Sequence, residues 1–452
     1  MRSNEEPERH HRVVIVGGGM AGTRLAQQLT AAPPAGAGPL RVTLIGEEPH
    51  PAYNRVLLAE VLAGRYAPEV IALPDPAPAV HRLGGVRAVR LDRDTARVLC
   101  DDGRSLGYDT LVLATGSNPV LPPLRGLFAP GGRELPDGVH AFRTMDDCLA
   151  LGAAAGPGVR AVVIGGGLLG VSAARALAER GAQVVLAHQG EHLMERQLDP
   201  GASRLLRDHV TALGVEVHTE CRVRGLRTRE RARGGRAVSA VELADGYALE
   251  AELVVLACGV RPRVGLARAA GLEVARGVVV DDALRTSDPR IHAIGDCAEH
   301  GGVVYGLAQA AQEQADAVGA VLGDRGRAGP GHREAEAPRD AAATAYQVTP
   351  YQVAPYQGTR TLTRLTLASA RPLDLASFGE TTPAPGDDVV HLADATRNAY
   401  RKVVVRGDRL VGGILLGDLG TVGALARTWE GDEPLPATPL LHLLTNDGGS
   451  CS

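Results

Sequence analysis

The chain has 452 residues, 44% hydrophobic and 22% charged, with a formal net charge of −4, the profile of a globular protein of about three domains. That balance excludes a basic field for nucleic acid, and an aromatic content of 3% excludes base-stacking platforms. No apolar run approaches the roughly 20 residues that span a bilayer, so neither nucleic acid nor membrane is expected as a partner.

Residues 1–12 are polar, without an apolar signal core or twin-arginine signal, so a cytoplasmic location is expected. His10 and His11 are assigned to a disordered tail. A strand pattern begins at Val13 and runs into Gly17-x-Gly19-x-x-Gly22, and a helix is predicted over Met20–Leu29. In such a turn the first glycine allows the tight bend, the second lets a pyrophosphate approach, and the third lets helix and strand pack. The helix N-terminus then presents free N–H groups to an anion. A second strand, Leu40–Ile45, is followed by Glu47, which can accept from ribose hydroxyls; Glu48 beside it competes for that role. Tyr108–Gly116 reads as a strand ending in the small-residue turn Ala114-Thr115-Gly116.

The unit then repeats. Ala161–Gly170 reads almost like Val13–Gly22, 148 residues on, and carries Gly165-x-Gly167-x-x-Gly170. A helix over Leu168–Glu179 and a strand over Gln183–Ala187 complete a second βαβ unit. Its strand ends at His188, where an acid would favour NADH by binding a 2′-hydroxyl and repelling a 2′-phosphate. A histidine does neither strongly; the alternative is a surface histidine at a strand end. Arg222, Arg224, Arg227, Arg229, Arg231, Arg233 and Arg236 crowd one stretch, read as a solvated hairpin loop or as a docking patch for an acidic partner. Ile291–Asp296 is a strand ending in Gly-Asp, whose carboxylate can accept from a polyol.

Gly323–Ala345 has linker composition. Three Tyr-Gln repeats follow, at Tyr346, Tyr351 and Tyr356, with prolines that exclude a helix; repeat expansion accounts for them. From Thr359 the pattern turns strand-rich, a compact α+β domain of about 100 residues. Phe128, Phe142 and Phe378, the only phenylalanines, are assigned to cores, and Lys402 is the only lysine. The six cysteines have no CxxC or zinc-ligand spacing, so no metal site is expected. Cys297, next to Asp296, is assigned as a buried inert thiol. No Ser-His-Asp pattern supports hydrolase chemistry, and no catalytic residue is assigned.

Two glycine motifs, an ATG turn and a late Gly-Asp, in this order, resemble the two-dinucleotide-domain flavoproteins of the pyridine-nucleotide-disulfide oxidoreductase superfamily. The resemblance implies an α/β chain with two Rossmann-like domains and a smaller α+β C-terminal domain. Residues 1–120 and 260–325 would bind FAD, 121–259 NADH or NADPH, 326–345 would be a linker, and 346–452 the third domain. By resemblance, Gly17, Gly19, Met20, Ala21, Gly22 and Glu47 hold the ADP half of FAD. Ala114, Thr115 and Gly116 lie against the same cofactor, and Asp296 meets the ribityl-phosphate region. Gly165, Gly167, Gly170, His188 and Gly259 would serve NAD(P)H. The stretches Glu47–Gly64, His192–Asp199 and Tyr400–Asp418 are similar to the flavoprotein half of assimilatory nitrite reductase and to the electron-transfer subunit of assimilatory nitrate reductase. That likeness places Arg55 near the flavin.

The departures matter as much. No cysteine lies in His50–Gly64, where disulfide reductases and peroxidase-like relatives carry redox cysteines, and no lysine precedes Lys402. Ser172 stands where relatives commonly have Glu. Ligands for an iron–sulfur centre or sirohaem are lacking, so this chain is not expected to reduce nitrite alone. The expected function is an FAD-dependent NAD(P)H oxidoreductase feeding an iron–sulfur acceptor or a nitrate or nitrite reductase subunit. The alternatives are a ferredoxin or rubredoxin reductase and a non-catalytic flavoprotein sensor.

Overall fold

In the computed structural model the described residues are 10–31, 40–232, 234–327, 355–394, 396–435 and 439–444. Residues 328–345 of the linker segment, residues 346–354 of the Tyr-Gln repeats, Arg233 and Cys451 lie outside them, while residues 323–327, expected as linker, are the end of helix Ala308–Arg327. The chain forms two compact units. One comprises Met1–Arg55, Ile71–Asn118 and Arg261–Thr359; the other comprises Val56–Val70, Pro119–Val260 and Arg360–Ser452.

The first unit is built on a five-stranded parallel sheet in the spatial order Ile291–Ala293, Thr110–Leu113, His11–Val16, Leu40–Gly46, His81–Gly84. Residues 13–16 and 111–113 of its central strands are unbroken apolar runs, as a sheet buried on both faces requires; Val13, Ile15, Leu111 and Val112 are wholly buried. Helix Met20–Thr30 follows the first strand. It packs on helix Ala308–Arg327, and Arg24 pairs with Asp316 at 2.8 Å. A three-stranded antiparallel sheet, Ala88–Asp92, Arg97–Cys100 and Ser105–Gly107, completes this unit's main elements. The first strand begins earlier than its sequence suggests. His11 pairs with Leu40, and its Nε2 lies 2.9 Å from Thr110 Oγ1. The ladder and that hydrogen bond hold a residue assigned to a disordered tail.

The second unit repeats the parallel layout, in the order Val215–His218, Gln183–Ala187, Arg160–Ile164, Leu253–Leu256, Val139–Ala141. Helix Met145–Ala154 starts in a capping box. The Thr144 hydroxyl accepts from Asp147 N at 3.1 Å, and the Asp147 carboxylate accepts from Thr144 N at 2.8 Å. Helix Leu168–Glu179 matches its predicted bounds. The antiparallel sheet Val223–Glu230, Arg236–Leu243 and Ala248–Glu250 carries most of the arginine-rich stretch. Arg224, Arg227 and Arg229 therefore sit in a strand rather than a loop, because Leu226 and Val241 bury its other face. Phe142 and Phe378 are buried, but Phe128 is 39% exposed and is not a core residue.

Residues Leu362–Leu416 form a five-stranded antiparallel sheet, with helix Val422–Gly431 packed on it through Leu425 and Trp429. This sheet belongs to the second unit, and a capping residue is among its ties to it, beside Ser377 Oγ, which donates to Gln197 O at 2.6 Å. Asp199 caps helix Pro200–Ala212 by accepting from Ala202 N at 3.0 Å. Its other oxygen accepts from Tyr400 Oη at 2.7 Å and from Lys402 Nζ at 2.8 Å. The single lysine of the chain is thus spent on a half-buried structural pair. Among the described residues no helix is long and apolar enough to cross a membrane.

Candidate functional site

The first glycine motif lies at the C-terminal ends of the parallel strands, where ligands collect in open α/β sheets. Gly17 has φ +126°, and a Cβ there would lie 2.0 Å from Ala114 O. A Cβ on Gly22 would lie 2.0 Å from Gly17 O. Both glycines are therefore fixed by sterics. Gly19 is the N-cap residue and offers no side chain to the first-turn amides of Met20, Ala21 and Gly22, so this helix end suits an anion.

Four loops converge on that end. Arg55 reaches to 3.9 Å from where a Gly19 Cβ would stand. Its guanidinium stacks over the Tyr53 ring at 5.0 Å and donates to Tyr53 Oη at 3.0 Å and to Glu48. Tyr53 in turn donates to Glu48 at 2.7 Å. Burial works against the charge on Arg55, but Tyr53, Glu48 and Asp296 outweigh it and raise its pKa. The two neighbouring acids thus have separate tasks. Glu48 holds Arg55, while Glu47 is more exposed and accepts from Arg263. Arg263 also donates to Asn118, and its backbone clasps the ATG turn: Thr115 Oγ1 donates to Arg263 O, and Arg263 N donates to Gly116 O, each at 2.8 Å. Gly116 has φ +70° with open space where a Cβ would be. Asp296 accepts from Ser117 Oγ at 2.8 Å, which brings the Gly-Asp carboxylate to the residue after the ATG turn.

Sequence reasoning missed Arg263 and Ser117 as parts of this arrangement, whereas resemblance places the Tyr53-Asn54-Arg55 region near the flavin. Arg263 stands 148 residues after Thr115 in the chain, and no local pattern joins them.

The second motif repeats the construction in the second unit. Gly165 has φ +116°, and a Cβ would meet Ala257 O at 2.3 Å; a Cβ on Gly170 would meet Gly165 O at 1.7 Å. Gly167 and Gly259 face open space. His188 lies under the loop. Its Nδ1 accepts from Gly166 N at 3.1 Å, and a Cβ on Gly166 would lie 2.6 Å from its ring. Burial pushes its pKa down, and the Nδ1 acceptor role leaves the proton on Nε2, which is buried without a partner. His188 is therefore a neutral donor at this strand end, and no carboxylate occupies the position. Ser172 donates to Leu168 O at 2.8 Å within its helix and presents no acid.

Cys100, Cys148, Cys221, Cys258 and Cys297 are free thiols. Burial pushes Cys148 and Cys258 up to about 11 and raises the other three. Cys297, wholly buried, lies 3.4 Å from Leu113 O. Thiols held protonated make poor nucleophiles. Treatment with iodoacetamide at pH 7 is accordingly expected to leave electron transfer from NADH to an artificial dye intact. Loss of activity in step with modification of one cysteine, mapped by mass spectrometry, contradicts this. Among the described residues, no group of His, Cys, Asp and Glu side chains can hold a metal ion.

The family model described as pyridine nucleotide-disulphide oxidoreductase matches residues 11–315, and the rubredoxin NAD+ reductase C-terminal domain matches residues 369–428. The chain is 32% identical over 411 residues to the assimilatory nitrate reductase electron transfer subunit of Bacillus subtilis, covering 90% of this chain and 48% of that protein. It spans about half the length of the first curated relatives it matches. It is 34% identical over 300 residues to a putidaredoxin reductase of Pseudomonas putida, covering 65% of this chain and 68% of that protein. Among solved structures it resembles the ferredoxin reductase for the CYP199A2 system of Rhodopseudomonas palustris. There the identity is 26%, the TM-score 0.77, and the match covers 96% of this chain and 98% of the other.

Proposed function

Because the chain belongs to the pyridine nucleotide-disulphide oxidoreductase family, we propose that it is an FAD-dependent NAD(P)H oxidoreductase whose electrons leave to an iron–sulfur protein of the ferredoxin or rubredoxin class. The observation that carries this reading is the doubled cradle. Two glycine loops, one in each unit, are closed by the same backbone contact, at Gly22 and at Gly170. One chain with two such loops fits two dinucleotides, and the unpartnered Nε2 of His188 leaves a donor at the second.

The residues divide accordingly. The amides of Met20, Ala21 and Gly22, the glycines Gly17 and Gly19, and Arg55 take the FAD pyrophosphate. Glu47 accepts from the adenosine ribose. Ala114, Thr115 and Gly116 line the same cofactor, and Asp296 faces the ribityl-phosphate region. Gly165, Gly167, Gly170, His188 and Gly259 receive NADH or NADPH. A neutral histidine neither attracts nor repels a 2′-phosphate strongly, so either coenzyme is accommodated. FAD, when bound, supplies the exchange between a two-electron hydride donor and a one-electron acceptor. The protein contributes orientation and charge. Residues 1–120 and 260–327 form the FAD domain, on which residues 355–359 pack, 121–259 form the NAD(P)H domain, and the third domain begins at Arg360 rather than at 346.

Two observations bear on the acceptor. The matched C-terminal domain is named for a rubredoxin reductase, and a ferredoxin reductase aligns along nearly its whole length. A second reading, delivery to an assimilatory nitrate or nitrite reductase, is favoured by the 32% identity that extends over 90% of the chain. The test is an anaerobic titration. The purified protein is expected to carry one FAD and to bleach on adding NADH or NADPH. A protein that binds no FAD, or whose flavin stays oxidised with both coenzymes, rejects the reading.

A further inference from the structure

The last Tyr-Gln repeat is docked in the first unit, and its contacts lead to the Gly-Asp turn. Tyr356 is 7% exposed and belongs to that unit's core. Its backbone N–H donates to Asp282 O at 2.8 Å, and its ring meets the edge of His300 at 4.9 Å. The polar contacts form a chain whose direction is fixed from both ends. Gly295 N can only donate, and it does so to Gln314 Oε1 at 2.7 Å. That sets the amide, so Gln314 Nε2 donates to Tyr356 Oη at 3.3 Å. Thr359 spends its only proton on Glu313 at 2.6 Å and so must accept from Tyr356, also at 2.6 Å. Burial pushes the Tyr356 phenol up to about 12, which keeps it a donor.

The register of this docking is selected by sequence. Gly358 has φ +91°, and a Cβ there would lie 2.7 Å from Tyr305 Oη. The two earlier repeats carry Val348 and Val353 at the same place. A β-branched residue is strongly disfavoured at that φ. Only the third repeat, Tyr356-Gln357-Gly358-Thr359, combines the tyrosine with the glycine and the threonine that the contacts use.

We propose that Tyr356 is a positioning residue for the flavin site. Through Gln314 it holds the Gly295 amide, and with it the turn that places the Asp296 carboxylate toward FAD. The repeat thus supplies one specific latch, and Gly358 decides which copy engages. This rests on the reading that Asp296 meets FAD. Gln314 is 1% exposed, so losing the phenol hydroxyl leaves its amide without an acceptor in a buried place, a costly arrangement.

The test measures FAD release from the holoprotein by the rise in flavin fluorescence on dilution, alongside the flavin absorption bands. Tyr356→Phe is expected to release FAD about tenfold faster and to shift the visible bands. Gly358→Val is expected to do the same without removing a hydrogen-bonding group. Asp296→Asn serves as the reference and is expected to release FAD at least as fast. If Asp296→Asn has the effect and Tyr356→Phe has none on release or spectrum, even with a lower melting temperature, the proposal is overturned and Tyr356 is merely structural. If Asp296→Asn also leaves release unchanged, the reading of Asp296 fails and takes the proposal with it.

Discussion

Gly170→Val is expected to stop NADH from reducing the flavin while the protein stays yellow. A Cβ at this position would lie 1.7 Å from the Gly165 carbonyl oxygen and 3.4 Å from Ala257 Cβ. The loop cannot retreat easily. Gly165 N is held by Ala187 O at 2.9 Å, and Gly165 itself abuts Ala257 O. The start of helix Leu168–Glu179 must therefore move away from the strand, carrying its first-turn amides with it. A misplacement of about 1 Å at a binding group can cost about a hundredfold in rate, so reduction by NADH should fall at least that far. The motif belongs to the second unit, and the corresponding Gly22→Val in the first unit should instead lose the flavin. Stopped-flow absorbance measures the first effect, with chemical reduction by dithionite as the control that the flavin is intact. Reduction of Gly170→Val at the wild-type rate sinks the assignment of the second cradle.

Why that cradle was legible, and other parts of the site were not, has a physical cause. The motif announces itself because its third glycine, Gly22 or Gly170, meets the carbonyl of its first within six residues, which admits no side chain. The helix over Leu168–Glu179 was equally plain, since its period, its glycine start and Gly181 are local signals. Glu47 and Glu48 were indistinguishable in sequence. What separates them is the reach of Arg55 toward one and of Arg263 toward the other, contacts between distant segments. His11 read as tail because its strand pairing and the Thr110 hydroxyl lie elsewhere in the chain. The arginine-rich segment misled for another reason. Its polar face outvoted the single buried Leu226 that marks it as a strand. The Tyr-Gln repeat was visible as a pattern, but the docking of its third copy depends on Tyr305 and Gln314, which no spacing connects to it.

An iron–sulfur acceptor is expected to raise NADH oxidation well above the rate with oxygen alone, and added salt should remove much of the gain. The argument starts from the thiols. The five described cysteines are free, and burial raises each pKa, so none of them is a ready dithiol relay. No metal-binding group of side chains occurs among the described residues. On the proposed reading, a reduced flavin in this chain passes its electrons to a protein carrier, as the name of the aligned ferredoxin reductase implies for that protein. Charge offers that carrier a handle. Arg227 pairs with Glu242 at 2.7 Å, but exposed Arg222, Arg224 and Arg229 have no ion-pair partner among the described residues. These cations, Arg224 and Arg229 on strand Val223–Glu230 and Arg222 just before it, can steer an acidic carrier, and steering is screened as the Debye length shortens. Reversing two of them, in Arg224→Glu with Arg229→Glu, should lower kcat/KM for an acidic ferredoxin about tenfold at low salt. The same variant should flatten the salt dependence and leave the rate with a neutral dye unchanged. Steady-state assays across ionic strength give both readouts. Salt dependence that survives the double reversal would assign the steering elsewhere and return these arginines to an ordinary solvated face. No acceleration by any iron–sulfur protein, with rapid reduction of a free quinone, would reject the protein acceptor itself.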